Sequence, residues 1–237
     1  MLKLGGVSSG YGKLQVLNDI SLEVDVGRLT VIVGPNGSGK STLLKTISGL
    51  TKVYSGTISL DGHELTHLSP HVIARSGVAY LPQTEAVFPL LTVEENFKMA
   101  SLTVRREDFD LRFKEITEMF PQLVRYMKTK VNNLSGGERQ MVAMGMALVR
   151  KPRVVMFDEP TANLSPKLAT EVLKTIATLT KEKNLCVLLV EQNARRALEI
   201  GDDAFLMVGG KKTYEGKAAD LLAHQELAKL YLGVKLA

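Results

Sequence analysis

One segment combines small residues, a lysine and a hydroxyl in an order that suits phosphate binding. The run GPNGSGKS, residues 34–41, matches G-x-x-x-x-G-K-[S/T] and lies between a predicted strand and a predicted helix. Small residues let backbone N–H groups surround phosphates, Lys40 offers a positive charge to them, and the Ser41 hydroxyl can ligate Mg²⁺. The segment predicts a nucleoside triphosphate site. Its expected binding residues are Asn36, Gly37, Ser38, Gly39, Lys40, Ser41 and Thr42.

Two adjacent carboxylates follow an apolar run later in the chain. The run VVMFDEP, residues 154–160, predicts a buried strand that ends in Asp158 and Glu159. Alone, such a pair would be interpreted as surface charge. Beside a phosphate-binding loop, Asp158 suits a Mg²⁺ site, and Glu159 could polarise a water that attacks the γ-phosphate. The pair therefore indicates hydrolysis and not binding alone.

A third segment, NNLSGGERQMVAMGMAL, has two glycines at the start of a predicted helix. Ser135 and Glu138 fit the S-x-x-E capping box, which accounts for both of these residues. The capping box does not explain why Gly136 and Gly137 lack side chains. Because a helix start reduced to its backbone is also an anion site, we expect this segment to face a phosphate.

The elements that must position these segments alternate between strand and helix. Apolar runs such as VIV, VVMF and VLLV predict buried strands with helical patterns between them. This alternation predicts a mostly parallel sheet covered on both faces. The pattern between about 85 and 152 is helical, with Thr92 and Glu95 as a second capping box. The tail, residues 218–232, is also predicted to be helical.

The composition limits the class of protein. A chain of 237 residues, 45% hydrophobic and 23% charged, suits a soluble globular protein. Its apolar runs are too short to span a bilayer and its start does not resemble a signal peptide, so we expect a cytoplasmic location. The net charge of +5 is spread without basic blocks, which predicts no nucleic-acid partner. Cys186 is expected to be buried, and the four histidines are expected at the surface.

The order of the three segments resembles that of the ATP-binding cassette ATPases over essentially the whole chain. LSGGERQ, residues 134–140, is similar to the family signature. The resemblance implies an α/β fold of the P-loop NTPase (RecA-like) type, within a single nucleotide-binding domain. A parallel-sheet core at 1–84 and 153–237 would carry an N-terminal antiparallel β subdomain and an inserted helical subdomain at 85–152.

The resemblance also implies roles for individual residues. In the family two domains pack head to tail, so the γ-phosphate facing Ser135, Gly136 and Gly137 would belong to a second subunit. Tyr11, in SGYGKLQVL, matches the aromatic residue that stacks on adenine, and Gln83, in LPQTEAVFP, matches the glutamine that touches Mg²⁺ and water. An ordinary strand-end tyrosine and an ordinary loop glutamine remain the alternatives. The implied catalytic residues are Lys40, Glu159 and Gln192, and the implied metal ligands are Ser41, Gln83 and Asp158.

Two positions depart from the common family pattern. Ser165 replaces the usual Asp after DEPTANL, and Gln192 replaces the usual His of the last switch segment. Glutamine can donate a hydrogen bond to a phosphate but takes no proton near neutral pH. These departures, with VEQNA, VFPLLTVEEN and the tail LYLG, resemble the ATPases of branched-chain amino-acid importers or their urea and amide relatives. In that subfamily we expect Glu at position 83, where this chain has Gln83.

The resemblance implies a Mg²⁺-dependent ATPase subunit that dimerises on ATP and drives uptake through a membrane permease. An extracytoplasmic solute-binding protein would be an indirect partner, and the chain would lie at the inner face of the cell membrane. A soluble cassette ATPase, acting in iron–sulfur assembly or on nucleic acid or ribosomes, is the second possibility. A nucleotide-dependent scaffold without turnover is the third, although Glu159 argues against it. The sequence leaves open the solute, the permease, and pairing with itself or with a similar chain.

Overall fold

Two β-sheets of different character form the centre of the molecule. The computed structural model describes residues 1–84, 86–102 and 104–224. One sheet has four antiparallel strands in the order β2-β1-β4-β5. Its strands are β1 (Leu2–Tyr11), β2 (Leu14–Val24), β4 (Lys52–Leu60) and β5 (His63–Glu64). The sheet corresponds to the antiparallel part that the sequence predicts near the N-terminus.

The second sheet has six strands in the order β10-β9-β3-β8-β7-β6. They are β3 (Leu29–Val33), β6 (Val78–Leu81), β7 (Val154–Asp158), β8 (Cys186–Val190), β9 (Asp203–Val208) and β10 (Lys211–Lys217). All neighbours pair in parallel except β9 and β10, which form a hairpin. Every residue of β3, β7 and β8 is buried, as expected for a parallel sheet between two layers.

Eight α-helices lie within the described residues. They are α1 (Lys40–Ile47), α2 (Pro70–Arg75), α3 (Val93–Ala100), α4 (Arg106–Met119), α5 (Gly136–Leu148), α6 (Pro166–Glu182), α7 (Ala194–Ile200) and α8 (Ala218–Ala223). Short 3₁₀ turns at Pro121–Tyr126 and Val131–Asn133 join α4 to α5. The described part between β6 and β7 therefore contains helices and loops, as predicted. Of the predicted tail helix, α8 is described, and residues 225–232 lie outside the described residues.

Both predicted capping boxes are confirmed. Thr92 and Glu95 exchange side-chain and backbone hydrogen bonds at the start of α3, and Ser135 and Glu138 do the same at α5. Each box satisfies two N–H groups that the first helical turn would otherwise leave without acceptors. The local sequence therefore marks the start of each helix, and at α3 the Val93 and Glu94 N–H groups also donate to the Thr129 and Met127 carbonyls.

The two faces of the six-stranded sheet contact two different layers. Alternate residues of β7 point to opposite faces. Met156 belongs to a cluster with Leu43 of α1 and the antiparallel sheet, whereas Val155 belongs to a cluster with Phe97 and Val142 of the helical segment. The prediction of a sheet covered on both faces is confirmed. The helical segment also shares its core with the sheet.

The cysteine and the histidines lie where the sequence predicts. Cys186 is buried in β8, and burial raises the pKa of its thiol to about 12. The four histidines are exposed: His63, His67, His71 and His224. Within the described ranges no three His, Cys, Asp or Glu side chains could together hold a metal ion. Nor is any described helix long and apolar enough to cross a membrane.

The turn of the β9–β10 hairpin contacts the phosphate-binding loop. The N–H of Gly210 donates to the Ser38 carbonyl at 3.0 Å, and its carbonyl accepts from the Asn18 N–H at 2.8 Å. Gly209 and Gly210 both have positive φ, at 55° and 75°. A Cβ on Gly210 would lie 1.8 Å from the Val16 carbonyl oxygen, whereas a Cβ on Gly209 would meet nothing within 4 Å.

These neighbours predict unequal effects for two adjacent substitutions. Gly209→Ala should lower the free energy of unfolding by about 1 kcal/mol, because only the left-handed backbone is unfavourable. Gly210→Ala adds a steric clash and should cost roughly 3 kcal/mol or more. Urea denaturation of both variants and the parent measures the difference. Equal destabilisation by the two alanines would contradict the close packing of this turn on β2.

Candidate active site

The loop between β3 and α1 forms a cradle of backbone groups. Gly37 and Gly39 have positive φ, at 77° and 98°, which only glycine adopts without strain. Helix α1 begins at Lys40, and no side chain caps its N-terminus. The first N–H groups of the helix therefore remain available to an anion, which the helix dipole also favours.

Two side chains of this loop lack the partners that buried polar groups normally have. Lys40 is 6% exposed, and among the described residues its ammonium donates only to the carbonyl oxygens of Gly34 and Pro35, at 2.8 and 3.0 Å. Burial lowers the pKa of Lys40, while the negative charges of Glu159 and Asp158 act in the opposite direction. The Ser38 hydroxyl oxygen is also buried and has no hydrogen-bond partner in the described part of the chain. A bound phosphate would fit both groups, because it accepts hydrogen bonds and carries negative charge.

The Asp158 carboxylate is held at both oxygens. Oδ1 accepts from the Ser41 hydroxyl at 2.8 Å, and Oδ2 accepts from the Tyr80 hydroxyl at 2.9 Å. Burial, followed by the charge of Asp158, raises the pKa of Tyr80 well above its usual value, so the phenol keeps its proton and donates. One hydroxyl and one carboxylate form a donor set that suits Mg²⁺, which prefers oxygen ligands and keeps waters and substrate phosphates.

The sequence did not identify Tyr80 as a residue of this site. It lies on β6, which pairs in parallel with β7, and the register places Tyr80 opposite Met156. Nothing in the local sequence around Tyr80 marks it as functional. Only the order of strands in the sheet brings its hydroxyl to Asp158.

Glu159 has a backbone conformation that few non-glycine residues adopt. Its φ is 50°, and its N–H donates to the Val190 carbonyl at 2.9 Å, beyond the end of β7. Such a conformation is unfavourable in isolation and persists where surrounding contacts enforce it. The Glu159 Oε2 atom accepts a hydrogen bond from the Gln83 amide at 3.0 Å. The structure thus brings together two residues that are 76 positions apart in the sequence.

A cavity of about 480 Å³ contains most of the predicted residues. Lys40, Gln83, Glu159 and Gln192 contribute side chains from four separate segments of the chain. The cavity is lined by Val16, Asn36, Gly37, Gly39, Lys40, Ser41, Thr42, Gln83, Glu159 and Gln192. Its volume is typical of a site for a small ligand. Val16, on β2, is a lining residue that the sequence analysis did not single out.

The signature segment lies apart from this cavity. Ser135, Gly136 and Gly137 are not among the lining residues. The absence of side chains at the two glycines also has a packing reason. A Cβ on Gly136 would lie 2.6 Å from the Leu164 side chain, and one on Gly137 would lie 3.1 Å from Leu168. Contact between this segment and a phosphate therefore remains a prediction.

Tyr11 is also outside the lining of the cavity. It ends β1, pairs with Leu14 of β2 and is 44% exposed. Leu14 lies two residues before Val16, which does line the cavity. An exposed ring at this edge is open to stacking, and stacking of adenine on Tyr11 remains a prediction.

Comparison with known proteins identifies the family. The model of the family described as ABC transporter matches residues 17–162. The chain belongs to the ABC transporter family. It is an ATPase cassette of that family, and the predicted resemblance and fold class are confirmed.

The relatives match the ABC ATPase over nearly its full length. A probable branched-chain amino acid transport ATP-binding protein of Archaeoglobus fulgidus is 49% identical over 99% of this chain and 99% of its own. A high-affinity branched-chain amino acid transport ATP-binding protein of Pseudomonas aeruginosa is 38% identical over 98% of this chain and 100% of its own. A crystal structure of an ATP-binding cassette in its ADP conformation superposes with a TM-score of 0.85 at 27% identity, covering 97% of each chain.

Gln192 provides a test of the cavity. If Gln192 donates a hydrogen bond to the γ-phosphate, as the sequence predicts, Gln192→Ala should slow hydrolysis while ATP still binds, because that bond is lost in the transition state. Such a loss costs on the order of 2–4 kcal/mol, or ~10²–10³ in rate. Gln192→His should retain much of the activity and add a pH dependence near neutrality, since imidazole titrates there. Single-turnover rates between pH 6 and 8 measure both effects. An alanine variant as fast as the parent at every pH would show that Gln192 has no part in catalysis.

Proposed function

We propose that this ABC ATPase hydrolyses ATP to drive the uptake of branched-chain amino acids through a membrane permease. The observation that carries the proposal is the convergence of Lys40, Ser41, Glu159 and Gln192 on one cavity. The names of the relatives from A. fulgidus and P. aeruginosa support the class of solute. They favour it over the urea and amide importers and over a soluble cassette ATPase.

The chemistry follows from the groups that line the cavity. The N–H groups at the start of α1 and the Lys40 ammonium hold the β- and γ-phosphates of ATP. Ser41, Asp158 and Gln83 would hold Mg²⁺, which would supply positive charge to neutralise the phosphates. Glu159 accepts the proton of a water whose oxygen attacks the γ-phosphorus, and the bond from that phosphorus to the bridging oxygen breaks. ADP and inorganic phosphate leave, while Gln192 donates to the transferred group.

A second ATPase subunit completes this site. Ser135, Gly136 and Gly137 start α5 with backbone N–H groups, yet they lie outside the chain's own phosphate cavity. In a head-to-tail pair, the α5 N-terminus of one chain would face the γ-phosphate bound to the other. A structure titled as a dimeric ABC transporter cassette, 28% identical with a TM-score of 0.79, covers 92% of this chain and 99% of its own.

The permease would dock in a groove between the core and the helical segment. This groove, of about 770 Å³, is lined by residues from both parts, with Leu50 and Tyr80 on one side and Met99 and Leu102 on the other. Leu50 and Leu102 are exposed apolar side chains, at 51% and 75%. Exposed apolar side chains that line one groove are candidates for contact with a partner. A permease segment bound here would place the ATPase at the inner face of the membrane, while a solute-binding protein delivers the solute from outside.

Binding in this groove would link nucleotide state to transport. The chain would consist of a core, residues 1–84 and 153–237, and a helical subdomain, residues 85–152. The loop that carries Gln83 leads from β6 into the helical subdomain, and Gln83 contacts Glu159. Hydrolysis of ATP would change the phosphate groups next to Glu159. The loop that carries Gln83 connects Glu159 with the helical subdomain, which forms one side of the groove. A movement of the helical subdomain relative to the core would be a switch between two discrete packed arrangements.

ATP-dependent pairing tests the completed site. The full chain carrying Glu159→Gln should be mostly monomeric without nucleotide and should form dimers with Mg²⁺ and ATP, because hydrolysis no longer separates the pair. Light scattering measures the mass in both conditions. The matched control adds Ser135→Arg to Glu159→Gln, which places a bulky side chain at the proposed interface and should keep the chain monomeric with ATP. An unchanged mass of the Glu159→Gln chain on adding ATP would contradict self-pairing and would point to a similar second chain as the partner.

A further inference from the structure

One buried carboxylate has no part in the chemistry proposed above. Glu191 directly follows β8 and is 3% exposed. Burial raises its pKa above the usual range, and the charge of Glu159 adds to this effect. Among the described residues, no Lys, Arg or His side chain forms a salt bridge with Glu191. Burying a carboxylate without a cationic partner is unfavourable, so its presence at this position needs a physical reason.

The hydrogen bonds of Glu191 supply that reason. Its Oε1 atom accepts from the Thr161 N–H at 3.1 Å, and its Oε2 atom accepts from the Gln192 N–H at 3.2 Å. The two oxygens therefore hold two different segments of the active site. One segment follows Glu159 in the chain, and the other contains Gln192.

The segment held at Thr161 needs such support. Glu159 and Asn163 have positive φ, at 50° and 62°, and Thr161 lies midway between them. Each non-glycine residue in this region costs of order 1–3 kcal/mol unless its surroundings enforce the conformation. The bond from the Thr161 N–H to Glu191 fixes the middle of this turn. The direction of the Glu159 side chain depends on the same turn.

A glutamate side chain at position 191 suits the two N–H groups, of Thr161 and Gln192, that donate to it. An ionised carboxylate only accepts hydrogen bonds and has two oxygens, one for each N–H. A glutamine would offer one accepting oxygen, and its NH₂ group would face the other N–H. An apolar residue would leave both N–H groups without this acceptor. Among side chains of this length, glutamate alone satisfies both segments.

We propose that Glu191 is a positioning residue that holds Glu159 and Gln192 at a fixed separation across the phosphate site. It does not line the phosphate cavity and acts through the backbone N–H groups of Thr161 and Gln192. The inference rests on the roles proposed for Glu159 and Gln192. It adds that their geometry is set jointly, by one carboxylate, and not separately by the two strands from which they extend.

The test compares Glu191→Gln with the parent in the full chain. Single-turnover hydrolysis should slow by on the order of 10- to 100-fold, as expected for losing a hydrogen bond to a charged group. The affinity for ATP, measured by calorimetry, should stay within about threefold, because Lys40 and the phosphate-binding loop are unchanged. Glu199→Gln, the same change on the exposed Glu199 of α7, is the matched control and should leave both quantities at the parental value.

A double-mutant cycle distinguishes positioning from a general effect on structure. If Glu191 positions both Gln192 and Glu159, Glu191→Gln should slow a Gln192→Ala chain less than it slows the parent, because the share of its effect that passes through Gln192 is already lost while the share through Glu159 remains. Fully multiplied effects would mean that Glu191 does not act through Gln192 and would overturn the inference. So would a parental rate in Glu191→Gln, or a loss of ATP affinity in parallel with rate.

A separate control measures whether each substitution disturbs folding. The unfolding midpoint of each variant should be measured, and Glu191→Asp serves if Glu191→Gln does not fold. The aspartate keeps the charge but withdraws the carboxylate by one methylene, so hydrolysis should again slow while ATP affinity persists. A parental rate in Glu191→Asp would count against positioning. Failure of the parent itself to hydrolyse ATP would instead contradict the proposed function, which keeps the two failures distinguishable.

Discussion

The burial of the Lys40 ammonium is the constraint on which the active site depends. A buried cation whose hydrogen bonds go only to carbonyl oxygens is costly unless an anion completes its surroundings. The glycines of the loop allow the backbone to approach, and the uncapped N-terminus of α1 adds its own positive end. Burial lowers the pKa of Lys40, and the negative charges of Glu159 and Asp158, at the end of β7, oppose this effect. A bound phosphate would supply the anion that completes the surroundings of the Lys40 ammonium.

The parallel sheet explains why distant residues meet here. The carboxyl ends of β3, β7 and β8 point to one edge, and the residues that follow them supply Lys40, Glu159 and Gln192. Glu191 and Tyr80 support this edge from β8 and β6 through hydrogen bonds to the segments beside them. The active site therefore depends on the strand order, because Tyr80 of β6 holds Asp158 and Glu191, after β8, holds the turn that follows Glu159.

The chemistry was predictable from sequence because each motif is local. The phosphate-binding loop, both capping boxes and the buried strands carry their own signals in a few adjacent residues. Strand β1 was not singled out, because its glycines and serines are weak strand formers and the strand is stabilised by pairing on both sides. Tyr80 and Glu191 were missed because their partners lie 78 and 30 positions away and depend on the order of strands.

Two sequence features have local structural explanations that the motifs did not reveal. Ser165 is the N-cap of α6, where its hydroxyl accepts from the Leu168 N–H, and Pro166 follows at the first helical position. Serine and aspartate are both favourable N-caps, so the replacement keeps the start of this helix. The glycines of the signature segment pack closely on Leu164 and Leu168. Their small size therefore serves the fold as well as any contact with a second subunit.

The affinity of the full chain for ATP, measured by calorimetry in the parent and in Lys40→Ala, tests the central claim most directly. Loss of a charge-assisted contact to phosphate should weaken binding by on the order of 10- to 100-fold. Lys45→Ala, at the other end of α1, is the matched control and should bind ATP as the parent does. Equal affinity in the Lys40→Ala chain and the parent would contradict the account, because the buried ammonium would then have no role in holding the nucleotide.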